Sequence, residues 1–334
     1  MTPAPATRSP LTPALAEIQA PVRDRLDGVA RELHRIVAAD FPLIDEVNGH
    51  LMLMKGKMFR PTLTLLASAV AERPDPRAVT LAAVVELVHL ATLVHDDSVD
   101  HSALRRGMPT INSLFSHQVS VIMGDFLYSR AVVELVRGGD LDVLRVLADA
   151  TNAMTVGEMR QLTSLDALAF SEQDYEELIR AKTASLLSAA TEIGALAGAA
   201  EHREALARYG ERLGMAFQVA DDLLDYTADE AVTGKPCGLD LREHKVTLPL
   251  IHALRGLTGA PRAEVDALFD DAEPDDARIA HVIEIVADRG GLDYARERGL
   301  EYAREAEAAL AELPDSAATA ALRDAIAYAL DRSQ

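Results

Sequence analysis

The stretch from residue 77 to residue 106 contains neither glycine nor proline, and its apolar residues recur with the period of a helix. This pattern predicts one long helix with a buried face. Near its end stands HDDSVD, residues 95–100, in which Asp96 and Asp100 lie one turn apart on the same face. Like charges at that spacing destabilise an isolated helix by about 0.2–0.5 kcal/mol. These carboxylates therefore need a cation beside them.

The same acidic spacing occurs again in DDLLD, residues 221–225, which also follows an apolar helical run. Asp221 and Asp225 share one face of that helix. One such motif is typical of a solvated helix end, whereas two indicate acidic walls that face each other across something positive. Carboxylates without an adjacent His and Cys ligand set suit Mg²⁺, which proteins usually hold with one or two carboxylates and substrate phosphates.

The composition predicts the fold class. The chain is rich in Ala, Leu, Glu and Arg, which favour helix, and no run of alternating β-branched residues predicts a strand. No linker rich in Pro, Gly or Ser divides the chain. We therefore expect a single all-α helical bundle over residues 22–334. Residues 1–21 contain five prolines, which predicts a mobile N-terminal tail.

Charge and cysteine content exclude several classes of protein. The net charge of −20 argues against a protein that binds nucleic acid, because such proteins present a basic face. The single Cys237 excludes an internal disulfide and fits a reducing cytoplasm. The sequence shows no signal peptide and no charge-free apolar run of membrane-spanning length. We expect a cytoplasmic, soluble protein whose membrane contact, if any, is peripheral.

Basic residues accompany the acidic motifs and several glycine turns. Gly56 and Gly107 would let the backbone approach an anion closely, and the Arg side chain matches phosphate oxygens bidentately. These basic residues are candidates for binding phosphate groups: Lys57, Arg60, Arg105, Arg106, Lys182, Lys235 and Lys245.

Seven segments, in this order and spacing, resemble the trans-type polyprenyl diphosphate synthases: GKMFRP, ELVHLATLVHDDSVD, LRRGMPT, GDFLYSRA, KTASL, FQVADDLLDYT and TGKPCGLDLREHKVTLPLI. The similarity runs from about Leu51 to Leu250. It implies an all-α bundle around a deep central cavity, in a protein that is usually a homodimer. It also implies condensation of isopentenyl diphosphate with an allylic diphosphate, with release of pyrophosphate.

The resemblance also implies a role for each matching residue. Magnesium, as three ions once the diphosphate is bound, would be held by Asp96, Asp100, Asp221 and Asp225, with Asp97 and Asp222 as further catalytic carboxylates. The allylic diphosphate would contact Arg105, Lys182, Thr183, Lys235 and Lys245, with Gln218 near the reacting allyl group. Isopentenyl diphosphate would contact Lys57, Arg60, His89 and Arg106. Two departures from the family pattern, Met58 and Leu239, remove no metal ligand.

Product length is predicted from the residues before the first acidic motif. In short-chain relatives bulky aromatic residues there close the cavity floor, whereas this chain has Ala91 and Thr92. We therefore expect a long product, of thirty carbons or more, of the kind used as quinone side chains. Met123, Phe126 and Phe115 are candidates for a lower floor.

Four alternative functions differ in features that the sequence can show. A shorter-chain synthase would make products of fifteen or twenty carbons. A class I terpene cyclase would have no second diphosphate to bind at Lys57, Arg60 and Arg106. A ferritin-like oxidase needs a second Glu-x-x-His besides Glu86 to His89, and the sequence has none. A non-catalytic subunit or helical scaffold would have no reason to keep both acidic motifs.

Overall fold

The computed structural model describes residues 13–54, 56–73, 75–163, 167–227 and 237–331, and most of them are helical. In chain order the α-helices are α1 (Leu15–Gln19), α2 (Arg23–Val37), α3 (Pro42–Leu53), α4 (Phe59–Ala67), α5 (Arg77–Val99), α6 (Ile111–Leu114), α7 (His117–Gly138), α8 (Leu141–Thr163), α9 (Glu172–Ile179), α10 (Ser185–Leu196), α11 (Arg203–Thr227), α12 (Leu239–Arg242), α13 (Leu248–Leu254), α14 (Ala260–Phe269), α15 (Asp276–Asp288), α16 (Gly291–Leu310) and α17 (Ala317–Leu330).

Helix α5 lies at the centre of the bundle. It packs against α2, α4, α7 and α10, while α11 packs against α10 and α16. Every side chain from Ala82 to Val88 is buried, because neighbouring helices cover α5 on several sides. The all-α prediction is confirmed. A core helix of this kind is apolar enough, by length and composition, to resemble a membrane span, and more than half of its apolar window is buried inside the protein.

The predicted helix over residues 77–106 is wrong beyond Val99. Asp100 caps α5 by donating its N–H to Asp96 O at 2.8 Å, and His101 then adopts a positive φ of 51°, which ends the helix. A short hairpin follows, with strands β1 (Leu104–Arg105) and β2 (Met108–Pro109). Both residues between the strands have positive φ, as a two-residue type I′ turn requires.

The predicted boundary between tail and domain lies too far along the chain. Residues 15–19 form α1, and Ala20–Val22 continue as a 3₁₀-helix. Ile18 is fully buried, and α1 packs on α17. An apolar contact thus anchors this segment despite its prolines, and helical structure begins at Leu15. The rest of the predicted tail, residues 1–12, lies outside the described residues.

A π-helical turn, Arg180–Ala184, joins α9 to α10. Such turns insert one extra residue into a helix and are frequent at functional sites. This one carries Lys182 and Thr183, two of the predicted site residues. The turn therefore changes the direction in which these side chains project relative to a regular helix.

The contact between α10 and α11 depends on a glycine. A Cβ added at Gly210 would lie 2.5 Å from the carbonyl oxygen of Leu187 and would also overlap the Thr191 hydroxyl. We expect Gly210→Ala to lower the free energy of unfolding by about 1–3 kcal/mol, because backbone atoms must shift to admit the methyl group. Urea unfolding followed by circular dichroism measures this.

The control is Gly49→Ala on α3, where an added Cβ meets no atom within 4 Å. That variant should be neutral, or more stable by up to about 1 kcal/mol, since Ala is the better helix former. Equal destabilisation by both variants would contradict the packing argument.

Candidate functional site

The first acidic wall is the C-terminal turn of α5. Asp96 is partly buried there, whereas Asp100 is exposed at the helix end. Burial raises the pKa of Asp96 to about 6, and the nearby carboxylates of Glu158 and Asp100 add to that rise, while Lys182 opposes it. The wall thus carries negative charge that the surrounding side chains only partly balance.

The second acidic wall is the C-terminal end of α11 together with the turn that begins α12. Asp225 accepts hydrogen bonds from the backbone N–H groups of Leu239 and Asp240, both at 3.0 Å, which fixes this turn against α11. The side chain of Leu239 takes no part in these bonds, so the departure from the family pattern at this position leaves them intact. Burial and the carboxylate of Asp225 raise the pKa of Asp240 to about 7.

Lys245 lies near carboxylates of both acidic walls. Burial lowers the pKa of Lys245, but Glu243, Asp240 and Asp100 more than offset this effect, and the pKa lies above its usual value. Asp240 and Asp100 belong to different walls, so carboxylates of both walls lie near Lys245, whose Nζ is 2.6 Å from Glu243 Oε2. Predicted Lys235 lies outside the described residues.

Lys182 projects from the π-helical turn toward α8. Its Nζ lies 2.6 Å from Glu158 Oε2 and 3.2 Å from Gln161 Oε1. The ammonium group also acts on Asp96 across the cavity. Lys182 is therefore at the mouth of the cavity and already has a carboxylate partner there.

A buried chain of hydrogen bonds runs behind the second wall. The Tyr175 hydroxyl donates to Asp222 Oδ2 at 2.5 Å, and Gln218 Nε2 donates to Asp222 Oδ1 at 2.8 Å. The Thr183 hydroxyl donates to Gln218 Oε1 at 2.7 Å. Burial, followed by the charge of Asp240, raises the pKa of Asp222 to about 8. Asp222 therefore orients Gln218 and the π-helical turn, and both of its oxygens are engaged in doing so.

Asp97 and Arg105 form a buried ion pair on the other side of α5. Arg105 Nε lies 2.8 Å and 2.9 Å from the two oxygens of Asp97, and its Nη2 lies 2.7 Å from one of them. Asp97 is 5% exposed, so its carboxylate stays away from solvent. The pair ties the hairpin that carries Arg105 to the end of α5.

A basic cluster surrounds His89, which lies about two turns before Asp96 on α5. Arg60 Nη1 donates to His89 Nε2 at 3.1 Å, and Arg106 Nη1 donates to Met54 O at 3.0 Å. Burial, Arg60 and Arg106 hold the pKa of His89 well below its ordinary value, so its imidazole is neutral. Predicted Lys57 is exposed, with its ammonium 5.6 Å from the ring centre of Tyr328 on α17. Three of the four predicted residues therefore come together, and the fourth stands at the edge.

Asp96 lies on the wall of a chamber of about 550 Å³. Ala91 and Thr92 line it, and Ala91 lies five residues, or about 7 Å, before Asp96 along the helix. The other described residues on its wall are Val88, His95, Val99, Asp125, Tyr128, Ala148, Thr151, Asn152, Met154, Thr155, Glu158 and Lys182. The suggested floor residues Met123, Phe126 and Phe115 are not among them, and Met123 is buried in the core.

The threonines of the chamber direct their hydroxyl groups to their own helices. Thr92, Thr151 and Thr155 donate to carbonyl oxygens three or four residues earlier, at 2.8–3.0 Å. This pattern satisfies the polar atom locally. Their methyl groups are then left for the cavity, which is compatible with an apolar occupant.

Several site residues escaped the sequence analysis. Tyr175 and Glu158 belong to no motif, and only their contacts with Asp222 and Lys182 identify them. Asp240 lies in one of the segments that resemble the family, two residues after Gly238. Its acidic side chain could therefore have been identified from the sequence. Tyr128 and Met154 carried no signal, because a lining position depends on how α7 and α8 pack.

The carboxylates suit a metal that is shared with a ligand. Among the residues that the structure describes, no three His, Cys, Asp or Glu side chains come close enough to hold an ion by themselves. Mg²⁺ is usually bound by one or two carboxylates plus substrate phosphates, so two separate acidic walls fit that ion. Burial first, and neighbouring carboxylates second, raise the pKa of Asp96 and of Asp240, so a cation bound beside them would favour their charged forms.

Comparisons with known proteins show which proteins this chain is similar to. The polyprenyl synthetase family model matches residues 41–286. The all-trans-nonaprenyl-diphosphate synthase (geranyl-diphosphate specific) of Rhodobacter capsulatus is 38% identical over 95% of this chain and 98% of its own length. The octaprenyl diphosphate synthase of Escherichia coli is 38% identical over 86% of this chain and 90% of its own length.

A solved structure is similar over the whole fold. The polyprenyl synthase from Caulobacter crescentus CB15, complexed with calcium and isoprenyl diphosphate, superposes with a TM-score of 0.89 at 34% identity. The similarity covers 98% of this chain and 99% of that one.

The buried hydrogen-bond chain predicts the effect of removing one hydroxyl. Tyr175→Phe leaves Asp222 Oδ2 without this donor, which costs about 1–3 kcal/mol of stability, and it loosens Gln218. We expect the turnover rate of the enzyme reaction to fall about tenfold, equivalent to about 1.4 kcal/mol. Tyr209→Phe is the matched control, because Tyr209 is equally buried and donates to Leu322 O away from the site. If both variants lose stability and turnover alike, Tyr175 has no special role.

The raised pKa of Asp240 predicts how stability depends on pH. Between the ordinary value of 3.8 and the folded value of about 7, the folded protein keeps a proton that the unfolded chain has released. The free energy of unfolding therefore falls as pH rises through this window, by at most about 1.4 kcal/mol per pH unit for one group. Asp240→Asn removes this contribution.

We expect metal-free wild type to lose stability relative to Asp240→Asn between about pH 5 and pH 7, the window of the raised pKa. Urea unfolding of both proteins in EDTA at a series of pH values measures the difference. Parallel curves would show that Asp240 titrates normally.

Proposed function

The chain belongs to the polyprenyl synthetase family, and from this premise we propose that it condenses isopentenyl diphosphate with an allylic diphosphate, head to tail, to make a long polyprenyl diphosphate. One observation carries the proposal: the first acidic wall lines a large chamber, Lys245 lies near carboxylates of both walls, and a separate basic cluster surrounds His89 on the same helix. An acidic mouth suits a metal-bound diphosphate, the chamber suits its hydrocarbon tail, and the basic cluster suits a second diphosphate.

The proposed metal is Mg²⁺, as three ions once the allylic diphosphate is bound. Asp96 and Asp100 would hold it on one wall, and Asp221 and Asp225 on the other. Bound Mg²⁺ would neutralise the charge that develops on the departing pyrophosphate. The related synthase from Caulobacter crescentus, complexed with calcium and isoprenyl diphosphate, supports a divalent cation and a diphosphate in the same protein.

Two lysine side chains near the acidic walls would assist cleavage of the bond between the allyl group and its diphosphate. Lys182 and Lys245 are cationic and lie where the diphosphate oxygens are expected, so they stabilise the leaving group when the allylic C–O bond cleaves. The bond electrons depart with pyrophosphate and leave an allylic cation. Thr183 and Asp222 fix Gln218 by hydrogen bonds, and this side chain would lie near the allylic carbon in the proposed complex.

The second substrate supplies the electrons for the new bond. Arg60 and Arg106 bind the diphosphate of isopentenyl diphosphate, while His89, neutral because of its low pKa, contributes a hydrogen-bonding nitrogen rather than a charge. The double bond attacks the allylic cation and forms the carbon–carbon bond. The resulting cation then loses a proton, which the departed pyrophosphate accepts. The apolar side chains of the chamber lining, such as Val88, Ala91 and Met154, would limit the access of water to the cation.

A long product is favoured over the shorter-chain alternative. The two related enzymes described above are nonaprenyl and octaprenyl diphosphate synthases. Ala91 and Thr92 leave room beneath the diphosphate, which supports the same conclusion. The basic cluster speaks against a terpene cyclase, because a cyclase has one diphosphate to bind. We propose that the product supplies quinone side chains.

We further propose that the enzyme is a homodimer in the cytoplasm, with peripheral membrane contact when product leaves. Large apolar side chains are exposed on α7 and just after it: Val121, Ile122, Val136 and Leu141. A second copy that covers this face would remove them from water. Light scattering tests the dimer, since a monomeric mass at micromolar concentration would contradict it.

The decisive test of the reaction is the mass of the product. Purified protein is incubated with Mg²⁺, labelled isopentenyl diphosphate and farnesyl or geranylgeranyl diphosphate, and the products are dephosphorylated and analysed by mass spectrometry. We expect a ladder that reaches thirty carbons or more. A stop at fifteen or twenty carbons would refute the long-chain assignment, and no elongation with either primer would refute the reaction.

Filling the chamber should shorten the product. Ala91→Phe adds a ring on the lining about 7 Å from the first acidic wall, at 1.5 Å per helical residue, so we expect products several isoprene units shorter than those of wild type. Ala287→Phe, an exposed position on α15, adds the same ring outside the chamber and should leave product length unchanged. Unchanged products from Ala91→Phe would contradict the assignment of this chamber to the growing chain.

A further inference from the structure

Glu86 is a buried carboxylate that the proposed reaction leaves without a role. It lies on α5 one turn before His89 and is 5% exposed. Burial raises its pKa, and the charges of Arg60 and Arg106 oppose that rise. An acidic group inside an anion-binding cluster is unexpected, because its charge repels the ligand.

The geometry around Gly56 brings the acid and one of the arginines together. A Cβ added at Gly56 would lie 2.9 Å from Arg106 Nη1 and 3.4 Å from Glu86 Oε1. Both groups therefore converge over the backbone of this glycine, where a side chain would separate them. The absence of a Cβ is what permits the approach.

The two arginines are each directed by a further partner. Arg106 donates to the carbonyl oxygen of Met54, and Arg60 donates to the ring of His89. Both guanidinium groups act on the same imidazole and on the same carboxylate, so two like charges lie near one another. Glu86 is a negative charge that acts on both of them.

We propose that Glu86 is a positioning residue for isopentenyl diphosphate, whose carboxylate holds Arg60 and Arg106 in their binding arrangement while the site is empty. The inference rests on the proposed function, which assigns this diphosphate to the cluster. Preorganised donors bind more tightly because the cost of ordering them is met during folding rather than on binding.

Simple charge counting predicts the opposite result. Replacing Glu86 by glutamine makes the cluster more positive by one charge, which alone would strengthen diphosphate binding. If Glu86 acts by positioning, the same change weakens binding, because the two guanidinium groups lose the negative charge that acts on both of them. The direction of the effect therefore separates the two accounts.

The experiment compares Glu86→Gln, Glu86→Asp and a matched control, Glu134→Gln. Glu134 is also buried and pairs with two arginines, Arg35 and Arg137, each at 2.7 Å, but it lies on α7 away from the cluster. Kinetics give the KM of each substrate and kcat, and calorimetry without an allylic substrate gives the Kd of isopentenyl diphosphate. Thermal unfolding confirms that each variant is folded.

For Glu86→Gln we expect the KM and Kd of isopentenyl diphosphate to rise about tenfold, because Arg60 and Arg106 lose a nearby buried negative charge. The KM of the allylic substrate should stay within about twofold, since Mg²⁺ on the two acidic walls binds it. Glu86→Asp, which keeps the charge, should recover part of the loss, and Glu134→Gln should match wild type in both constants.

Tighter or unchanged binding by Glu86→Gln would overturn the inference, as would an equal loss for both substrates. A binding loss that Glu134→Gln shares would also overturn it, because it would reflect general destabilisation. If Glu86→Gln does not fold, Glu86→Asp decides: it must raise the Kd of isopentenyl diphosphate, and a wild-type value would refute the role. Failure of wild type to elongate any primer would instead refute the proposed function.

Discussion

Charged groups buried around one cavity must be balanced, and this constraint shapes the site. Burial raises the pKa of Asp96 on the first acidic wall and of Asp240 on the second. Lys182 lowers the pKa of Asp96, and Lys245 lowers that of Asp240, so each wall has a lysine that favours its charged form. In the proposed reaction a metal-bound diphosphate would join this balance of charge.

The backbone around the site holds these groups in place by local devices. A π-helical turn aims Lys182 at the cavity, and a hairpin with two positive φ values brings Arg105 back to Asp97. On the second wall, backbone N–H groups of the following turn fix Asp225. Each device joins two helices, so the relative position of the two walls depends on the packing of the whole bundle.

Local patterns in the sequence predicted the groups that the proposed chemistry uses. The repeated acidic spacing identified Asp96 and Asp221, and the basic segments identified Arg60, because helical periodicity and residue type decide such positions. Contacts between distant segments could not be predicted in this way. Tyr175 reaches Asp222 across 47 positions, and the identity of each residue alone gives no reason for the pairing. The end of α5 was misplaced for a related reason, since helix-forming residues continue after Val99 and only the positive φ of His101 stops the helix.

The most direct test is the metal dependence of binding for each substrate alone. Calorimetry would compare isopentenyl diphosphate with a non-reactive allylic diphosphate analogue, each in excess Mg²⁺ and in EDTA. If the acidic walls bind one diphosphate through metal and the basic cluster binds the other through side chains, the allylic analogue will bind in Mg²⁺ and not in EDTA. Isopentenyl diphosphate will bind with similar affinity in both. Loss of both ligands in EDTA, or retention of both, would contradict the division of the site into these two parts.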